Sequence, residues 1–451
     1  MSFEISDKFI DQVKHLIESE GDVHLQEMLG EIHFADIAEI IGELNLYQAT
    51  YIIKLLDSEK TSEALMELEE DFRERILEKL SVKEIAEELE EMDTDDAADV
   101  IAELPDDRAE EVIAEIEDEK HAEDIKELLL YEEDTAGGLM AKELVKVKET
   151  WTVAGCVREM RRQAEKVTRV HSIYVVDKEG KLKGRLSLKD LLTASTKAYI
   201  KDVYIPKVDY VNVATEGEEV ARIMQKYDLE AIPVVDDETV LLGRVTIDDM
   251  VDFIKDEAEK DYQMAAGISQ DVEADDNVWE LTRARLPWLI LGLFGGLGSV
   301  FIMQDFEDVM NNPQIRDLFF YTPLIAAMAG NVGVQSSAII VQGLANDNVK
   351  GSLWNRLLKE IGLSLINGAA LALLIILFGM IMGYEISFSL TIAISLMSVI
   401  IVAALIGTFV PIILDKRGID PAIATGPFIT TSNDIFGIFL FFYIAKLILG
   451  F

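Results

Sequence analysis

Cysteine is all but missing from this chain of 451 residues: Cys156 stands alone, which excludes an intrachain disulfide and any multi-cysteine zinc or iron–sulfur site. Histidine is scarce as well. His15, His24, His33, His121 and His171 include no i, i+4 ligand pair, so carboxylates are the abundant ligands, and they suit hard cations such as Mg²⁺ or Ca²⁺. Positive charge is short too, with 41 Lys and Arg against 83 Asp and Glu and a net charge of −42, which makes nucleic acid a poor partner. No basic segment followed by an apolar run opens the chain between Met1 and Gly21, so no cleaved signal peptide is expected and the acidic part is expected in the cytosol. A phosphate-binding Gly-x-x-x-x-Gly-Lys-Ser/Thr loop and a nucleophile with its base are also missing, which argues against a pump and against an enzyme.

What the chain does have is unevenly placed. Residues 1–276 carry 72 acids and 32 bases, whereas residues 277–451 carry 11 acids and 9 bases. The second part holds the long apolar runs, so an acidic soluble half precedes a membrane half.

The acidic half opens on short amphipathic helices. Lys83-Glu-Ile-Ala-Glu-Glu-Leu, Asp95-Asp-Ala-Ala-Asp-Val-Ile-Ala-Glu-Leu and Asp107-Arg-Ala-Glu-Glu-Val-Ile-Ala-Glu-Ile recur every 12 residues, as one helix per unit of an all-α solenoid would. Most of its acids read as a solvated face. Asp95, Asp96 and Asp99 share one helix surface and repel until a cation joins them. After Gly137-Gly138 the pattern turns to α/β, and a second repeat appears. Tyr174-Val-Val-Asp177 returns as Pro233-Val-Val-Asp236, Gly184-Arg-Leu-Ser187 as Gly243-Arg-Val-Thr246, and Asp190 as Asp249, each 59 residues on. Each copy reads helix, strand, turn, strand, helix, and resembles the CBS domain, which works as a tandem pair. By that resemblance, Ser187 with Asp190 and Thr246 with Asp249 occupy nucleotide-binding positions, and ATP becomes a possible regulator. The same Ser/Thr-x-x-Asp pattern is also an ordinary helix N-cap. An acidic helix, Asp248 to Tyr262, then leads toward the membrane half.

Five apolar stretches follow, near 286–304, 318–344, 358–383, 387–414 and 423–449. Arg283 and Arg285, then Lys350, Arg356 and Lys359, then Lys416 and Arg417 fall on one side, while the remaining loops carry Asp305, Glu307, Asp308, Arg316, Asp317 and Glu385. The positive-inside rule places the N-terminus in the cytosol and the C-terminus outside. Polar and helix-breaking residues inside the spans are the informative ones: Pro323, Gly330, Asn331 and Gln335 in the second, Gly426, Pro427, Thr430 and Asp434 in the fifth, with Asp420 just before it. An ionisable residue at Asp434's depth marks a functional site by default. Pairing two copies about a two-fold axis would bring two such carboxylates face to face.

Taken in order, these features resemble the MgtE magnesium channels over nearly the whole chain. The motifs that carry the likeness are Asp134-Thr-Ala-Gly-Gly-Leu-Met140, Pro323 with Gly330-Asn-x-Gly-x-Gln335, and Asp420-Pro-Ala422 with Pro427-x-x-Thr-x-x-x-Asp434-x-x-Gly437. The resemblance implies a multidomain protein: an acidic helical N domain (1–131), two CBS domains (132–200 and 201–252), a long connecting or plug helix (253–282) and a five-helix transmembrane domain (283–451). It further implies a homodimer in a lipid membrane of the cell, with Asp434 as the selectivity carboxylate and a pore lined from the second and fifth spans. Cytosolic Mg²⁺ held among Asp95, Asp96, Asp99, Asp248, Asp249, Asp252, Glu257, Glu259 and Asp261 would close it. Family members can carry Asn where this chain has Gly426. The competing readings are a coupled carrier of divalent cations and a non-transporting CBS receptor; no inverted repeat among the spans supports the former.

Overall fold

The computed structural model describes residues 5–164, 169, 170, 172–269, 272, 276–307, 309, 315–345, 349 and 352–450. His171, Asp308 and Lys350 lie outside the described residues. The chain forms two compact units, Met1–Ile254 and Lys255–Phe451.

The first unit opens with short helices: α1 (Asp7–Glu18), α2 (Asp22–Leu29), α3 (Phe34–Gly42), α4 (Leu46–Leu55), α5 (Ser58–Met66), α6 (Glu70–Leu77), α7 (Val82–Leu89), α8 (Thr94–Ala102), α9 (Asp106–Glu115) and α10 (Glu119–Leu128). They are short because polar caps punctuate the text. Asn45 with Gln48 and Ser81 with Glu84 form reciprocal capping boxes, and Asp118 accepts from the first amides of α10, satisfying donors that a helix start leaves open. Helices α7 to α10 begin at residues 82, 94, 106 and 119, so the 12-residue repeat is one helix per unit. Odd helices stack on odd ones from α3 to α9, while α4 packs on α6 and α8 on α10. Polar ties cross the stack. Arg73, 9 % exposed, sends Nε to Glu103 Oε1 at 2.9 Å, and Lys54 Nζ reaches Glu84 Oε1 at 2.8 Å. A buried pair of the first kind holds register more than it adds stability, because desolvation offsets most of its attraction.

Two α/β copies follow: β1 (Val145–Lys148), α11 (Val153–Ala164), β2 (Ile173–Val176), β3 (Leu182–Leu186) and α12 (Leu188–Thr193), then β4 (Val211–Asn212), α13 (Gly217–Tyr227), β5 (Ala231–Val235), β6 (Leu241–Thr246) and α14 (Ile247–Ala266). In each the first strand pairs parallel and the last antiparallel to the middle one, which adds a leading strand to the expected pattern. The repeat extends to irregularities: a register shift between Val175 and Val176 returns between Val234 and Val235. It also explains a glycine pair. A Cβ on Gly184 would overlap the carbonyl oxygen of Ile205, and one on Gly243 would come within 2.7 Å of that of Ala141, where neighbouring backbone bridges to Arg185 and Arg244. A continuous apolar core runs from Ile10 through the helical stack to Val245 and Met250 of the second copy.

The connecting segment differs from the expected 253–282. Helix α14 begins at Ile247, inside the second copy, and ends at Ala266, where Gly267 takes φ +81°. Among the described residues the next helix begins at Val278.

The second unit holds α15 (Val278–Asp305), α16 (Thr322–Ala345), α17 (Leu353–Met382), α18 (Ile386–Asp415) and α19 (Gly426–Leu449). Among the described residues these five are long and apolar enough to cross a membrane, α16 with the 3-10 turn Arg316–Tyr321 ahead of it. Helix α18 is central, packing on α16, α17 and α19, while α15 packs on α19. Small residues allow the close approach: a Cβ on Gly407 would overlap the Gly333 carbonyl, and one on Gly437 would lie 2.9 Å from Ala329 Cβ. Such contacts replace the hydrophobic drive that lipid removes. Two boundaries moved. Pro421–Ala424 is a 3-10 turn, so the fifth helix starts at Gly426 rather than Ile423, and Arg356 and Lys359 lie in the first two turns of α17 rather than in a loop.

Candidate cation sites

The N-terminus of α8 builds the first site. Asp93 is its N-cap, and Asp95 and Asp96 sit in its first turn, where the helix dipole favours negative charge. The segment after Met140 docks beside it: Thr94 Oγ1 donates to Glu143 Oε2 at 2.8 Å, the Thr94 amide donates to the same oxygen at 3.2 Å, and the Lys142 amide donates to Thr94 Oγ1 at 2.8 Å. One oxygen each from Asp93, Asp95 and Glu143 lies within 4.8 Å of the others. Asp95 is 7 % exposed, and its Oδ1 is buried with no hydrogen-bond partner among the described residues.

Electrostatics mark this cluster as strained without a cation. Burial, then the charges of Asp96 and Asp249, pushes the Asp95 carboxyl well above the usual carboxylate range. Burial and Asp249 do the same to Asp96, and burial with Glu143 raises Asp93 to about 6. Asp249 is raised as well, burial being the main cause and the Thr246 hydrogen bonds opposing it. On an octahedral Mg²⁺ with bonds of about 2.1 Å, ligand oxygens stand about 3 Å apart when adjacent and about 4.2 Å when opposite, so closure of the cluster or intervening water would let a hard divalent ion join these groups.

Of the acids expected from sequence, the structure gathers Asp95, Asp96 and Asp249 here. Asp99 is exposed one turn further along α8, and Asp248, Asp252 and Glu259 are exposed along α14. Glu257 accepts from Lys260 Nζ at 3.0 Å. Partial desolvation, with the charges of Asp420 and Glu257, holds the Asp261 carboxyl above its ordinary range. Asp93 and Glu143 were not singled out from sequence. The expected nucleotide residues close on themselves as caps: Ser187 Oγ donates to Asp190 Oδ2 at 2.6 Å and accepts from the Asp190 amide at 3.0 Å, and Thr246 donates to Asp249 from both its hydroxyl and its amide. Asp249 thus serves the acidic cluster and its own cap at once.

The second site lies on α16 and α19. Pro323, Ala327, Asn331, Gln335, Ala338 and Gln342 form the exposed stripe of α16, spaced three or four residues apart as one helix face requires. Its opposite face buries Ile325, Ala329, Gly333, Ser336 and Ile340, with the buried Gly330 on the flank between the two. Asp434, half-buried on α19, has Oδ1 3.4 Å from where a Gly330 Cβ would stand, with Thr430 one turn below. A Cβ there would touch the carboxylate at ordinary contact distance and come within 3.0 Å of Thr430 Cγ2, so glycine eases the close approach of α19 to α16. Counting from Gly426, Asp434 stands about 12 Å up the helix. At the foot of α19, a Cβ on Gly426 would overlap the Ala265 carbonyl, and one on Gly267 would overlap Pro427. Gly426 has φ +32°, so backbone conformation and the touching end of α14 both explain glycine at this position.

A further carboxylate escaped the sequence reading because it was absorbed into the third apolar stretch. Glu360, two turns into α17, accepts from Ser336 Oγ at 2.6 Å. Its partner lies beside Gln335 of the polar stripe.

Three family models match the chain: an MgtE divalent cation transporter over residues 322–444, an MgtE intracellular N domain over 32–134, and CBS domains over 136–197 and 200–256. The magnesium transporter MgtE of Enterococcus faecalis is 37 % identical over 325 residues, 72 % of this chain and 71 % of the relative. That of Thermus thermophilus is 36 % identical over 331 residues, 72 % of each chain. A crystal structure of the cytosolic domain of the Mg²⁺ channel MgtE in complex with ATP superposes with a TM-score of 0.51 at 37 % identity, covering 54 % of this chain and 99 % of that one.

Proposed function

Because the chain belongs to the MgtE family of magnesium transporters, we propose that it is a Mg²⁺-selective channel, closed by the ion it conducts. The observation that carries the conduction reading is the stripe of α16 with the amides Asn331 and Gln335, left exposed close to Asp434 in a set of long apolar helices. Amides and a carboxylate at that depth do not face hydrocarbon; they line water or a partner helix. A second copy about a two-fold axis covers the stripe and places two Asp434 carboxylates on one path. Mg²⁺ gives up its water reluctantly, so the pair would read the hydrated ion through hydrogen bonds to its shell, helped by Asn331, Gln335 and Thr430.

Closure begins at the acidic clusters. Without a cation, Asp93, Asp95, Asp96, Asp249 and Glu143 repel, and the segments that carry them are held apart or partly protonated. A divalent ion bridging them ties α8 to the base of α14. The far end of the same helix, at Ala265 and Gly267, lies against Gly426 and Pro427 at the foot of α19, which is where a plug would act. ATP is proposed as a regulator at Ser187 and Asp190, on the strength of the relative crystallised with it.

The test is Mg²⁺ uptake by a cell lacking its own uptake systems. Wild type should restore growth in low Mg²⁺ and Asp434→Asn should not, at equal membrane abundance. Uptake that survives Asp434→Asn would remove the carboxylate from the path and favour a different route, whereas no uptake by wild type would favour the receptor.

A further inference from the structure

Arg244 stands where three segments of the first unit meet. Its amide donates to the Ala141 carbonyl at 2.9 Å, its Nη1 donates to the Arg169 carbonyl at 3.1 Å, and its Nη2 lies 3.7 Å from Asp93 Oδ2. The residue is 4 % exposed, and its Nε is buried with no hydrogen-bond partner among the described residues. A guanidinium taken out of water ordinarily uses its whole fork of donors on carboxylates or carbonyls. Here Nε is unspent among the described residues, and the approach of Nη2 to Asp93 is longer than a hydrogen bond.

The sequence repeat shows that burial of this arginine is not a demand of the α/β copy itself. Arg185, its counterpart 59 residues earlier, is exposed at the matching place on β3. Arg244 is covered because the helical stack closes over β6 with its acidic α8 terminus, which sets a fixed positive charge beside Asp93 and Asp249. We infer that Arg244 is a tethered counter-ion, competing with the free divalent cation for Asp93 and so setting the concentration at which the acidic cluster fills. The inference rests on the regulatory reading of that cluster. A divalent ion entering among Asp93, Asp95 and Glu143 takes Asp93 from a partner that holds it loosely, and the displaced guanidinium keeps its bond to the Arg169 carbonyl. The cluster is thereby poised to respond to changes in free cation rather than to stay occupied.

The sign of the effect separates this role from that of a structural clamp. Loss of a clamp loosens the cluster and weakens cation binding; loss of a competitor strengthens it. The experiment uses the purified full chain at pH 8 with MgCl₂ as the probe, reading protection of the first unit from proteinase K as Mg²⁺ is raised. Arg244→Met should move the protection midpoint to lower Mg²⁺ by about tenfold or more, as removal of a unit charge a few ångströms from a divalent ion implies. Arg244→Lys should stay near wild type, and the Arg244→Met shift should vanish in an Asp93→Asn background. If Arg244→Met does not fold, Arg244→Gln, which can still donate to the Arg169 carbonyl, carries the same expectation. A midpoint unchanged or raised in these variants, with wild type protected by Mg²⁺, overturns the competitor role and leaves the regulatory site standing. Wild type showing no Mg²⁺-dependent protection would overturn both.

Discussion

A buried carboxyl in the helical stack sets a pH dependence whose sign and size follow from the structure. Glu88 on α7 is 6 % exposed and accepts a 2.7 Å hydrogen bond from Thr61 Oγ1 on α5, itself fully buried. Burial raises its carboxyl from 4.5 to about 7, against the lowering effect of Thr61, with Glu87, Asp57 and Glu91 adding repulsion. Below pH 4.5 the group is protonated whether the chain is folded or not. Between there and pH 7 the unfolded chain ionises first, so stability falls as pH rises and stays low above pH 7. That gap is worth about 3 kcal/mol at about 1.4 kcal/mol per pH unit. Glu88→Gln resembles the protonated acid and keeps an acceptor for Thr61, so it should match wild type near pH 4.5 and exceed it by up to about 3 kcal/mol at pH 8. Urea unfolding of both proteins across pH 4.5–8 checks this, and the difference between them removes the parallel contribution of Asp93 and Asp95. A difference that does not vary with pH, or a less stable variant at pH 8, would refute the reasoning.

Other outcomes follow from single contacts. A Cβ on Gly333 would overlap the Asn433 side-chain amide, so Gly333→Val should separate α16 from α19 and lower the detergent melting temperature; an unchanged melting temperature would contradict that packing. Breaking the bond from Ser336 to Glu360 with Ser336→Ala should cost about 0.5–1.5 kcal/mol, typical of the net worth of one hydrogen bond, and the double variant with Glu360→Gln should cost less than the two changes summed, which a thermal-unfolding cycle reads. Asp95→Asn should stabilise the cation-free first unit, since it removes a buried negative charge from among Asp96, Asp249, Asp93 and Glu143, while raising the Mg²⁺ needed for proteinase K protection at least several-fold; protection at the wild-type concentration would place the cation elsewhere.

How much was legible depended on the distance over which each feature is written. The 12-residue helical repeat and the 59-residue copy were plain because each is a local pattern recurring in register, and the structure repeats even the bulge at Val175 and Val234. Span ends were less so: Pro421–Ala424 is apolar enough to extend a hydropathy window, yet its proline and the cap from Asp420 make a 3-10 turn. The same window hid Glu360. Asp95 and Asp96 were legible as neighbours on one helix, but Asp93, Glu143 and Arg244 come together only through packing of segments about fifty and a hundred residues apart, and no local pattern announces that. The Thr246–Asp249 pair shows the converse, because one short motif fits an N-cap, a nucleotide site and a cation site, and only the fold puts Asp249 beside Asp96.

The central claim is that one ion both passes Asp434 and shuts its own path. Single-channel currents from inside-out patches, with cytosolic Mg²⁺ stepped from micromolar to about ten millimolar, test it most directly. The account predicts unitary Mg²⁺ currents that switch off as cytosolic Mg²⁺ rises and are absent in Asp434→Asn. Currents indifferent to cytosolic Mg²⁺, or Mg²⁺ flux without unitary currents, would contradict it.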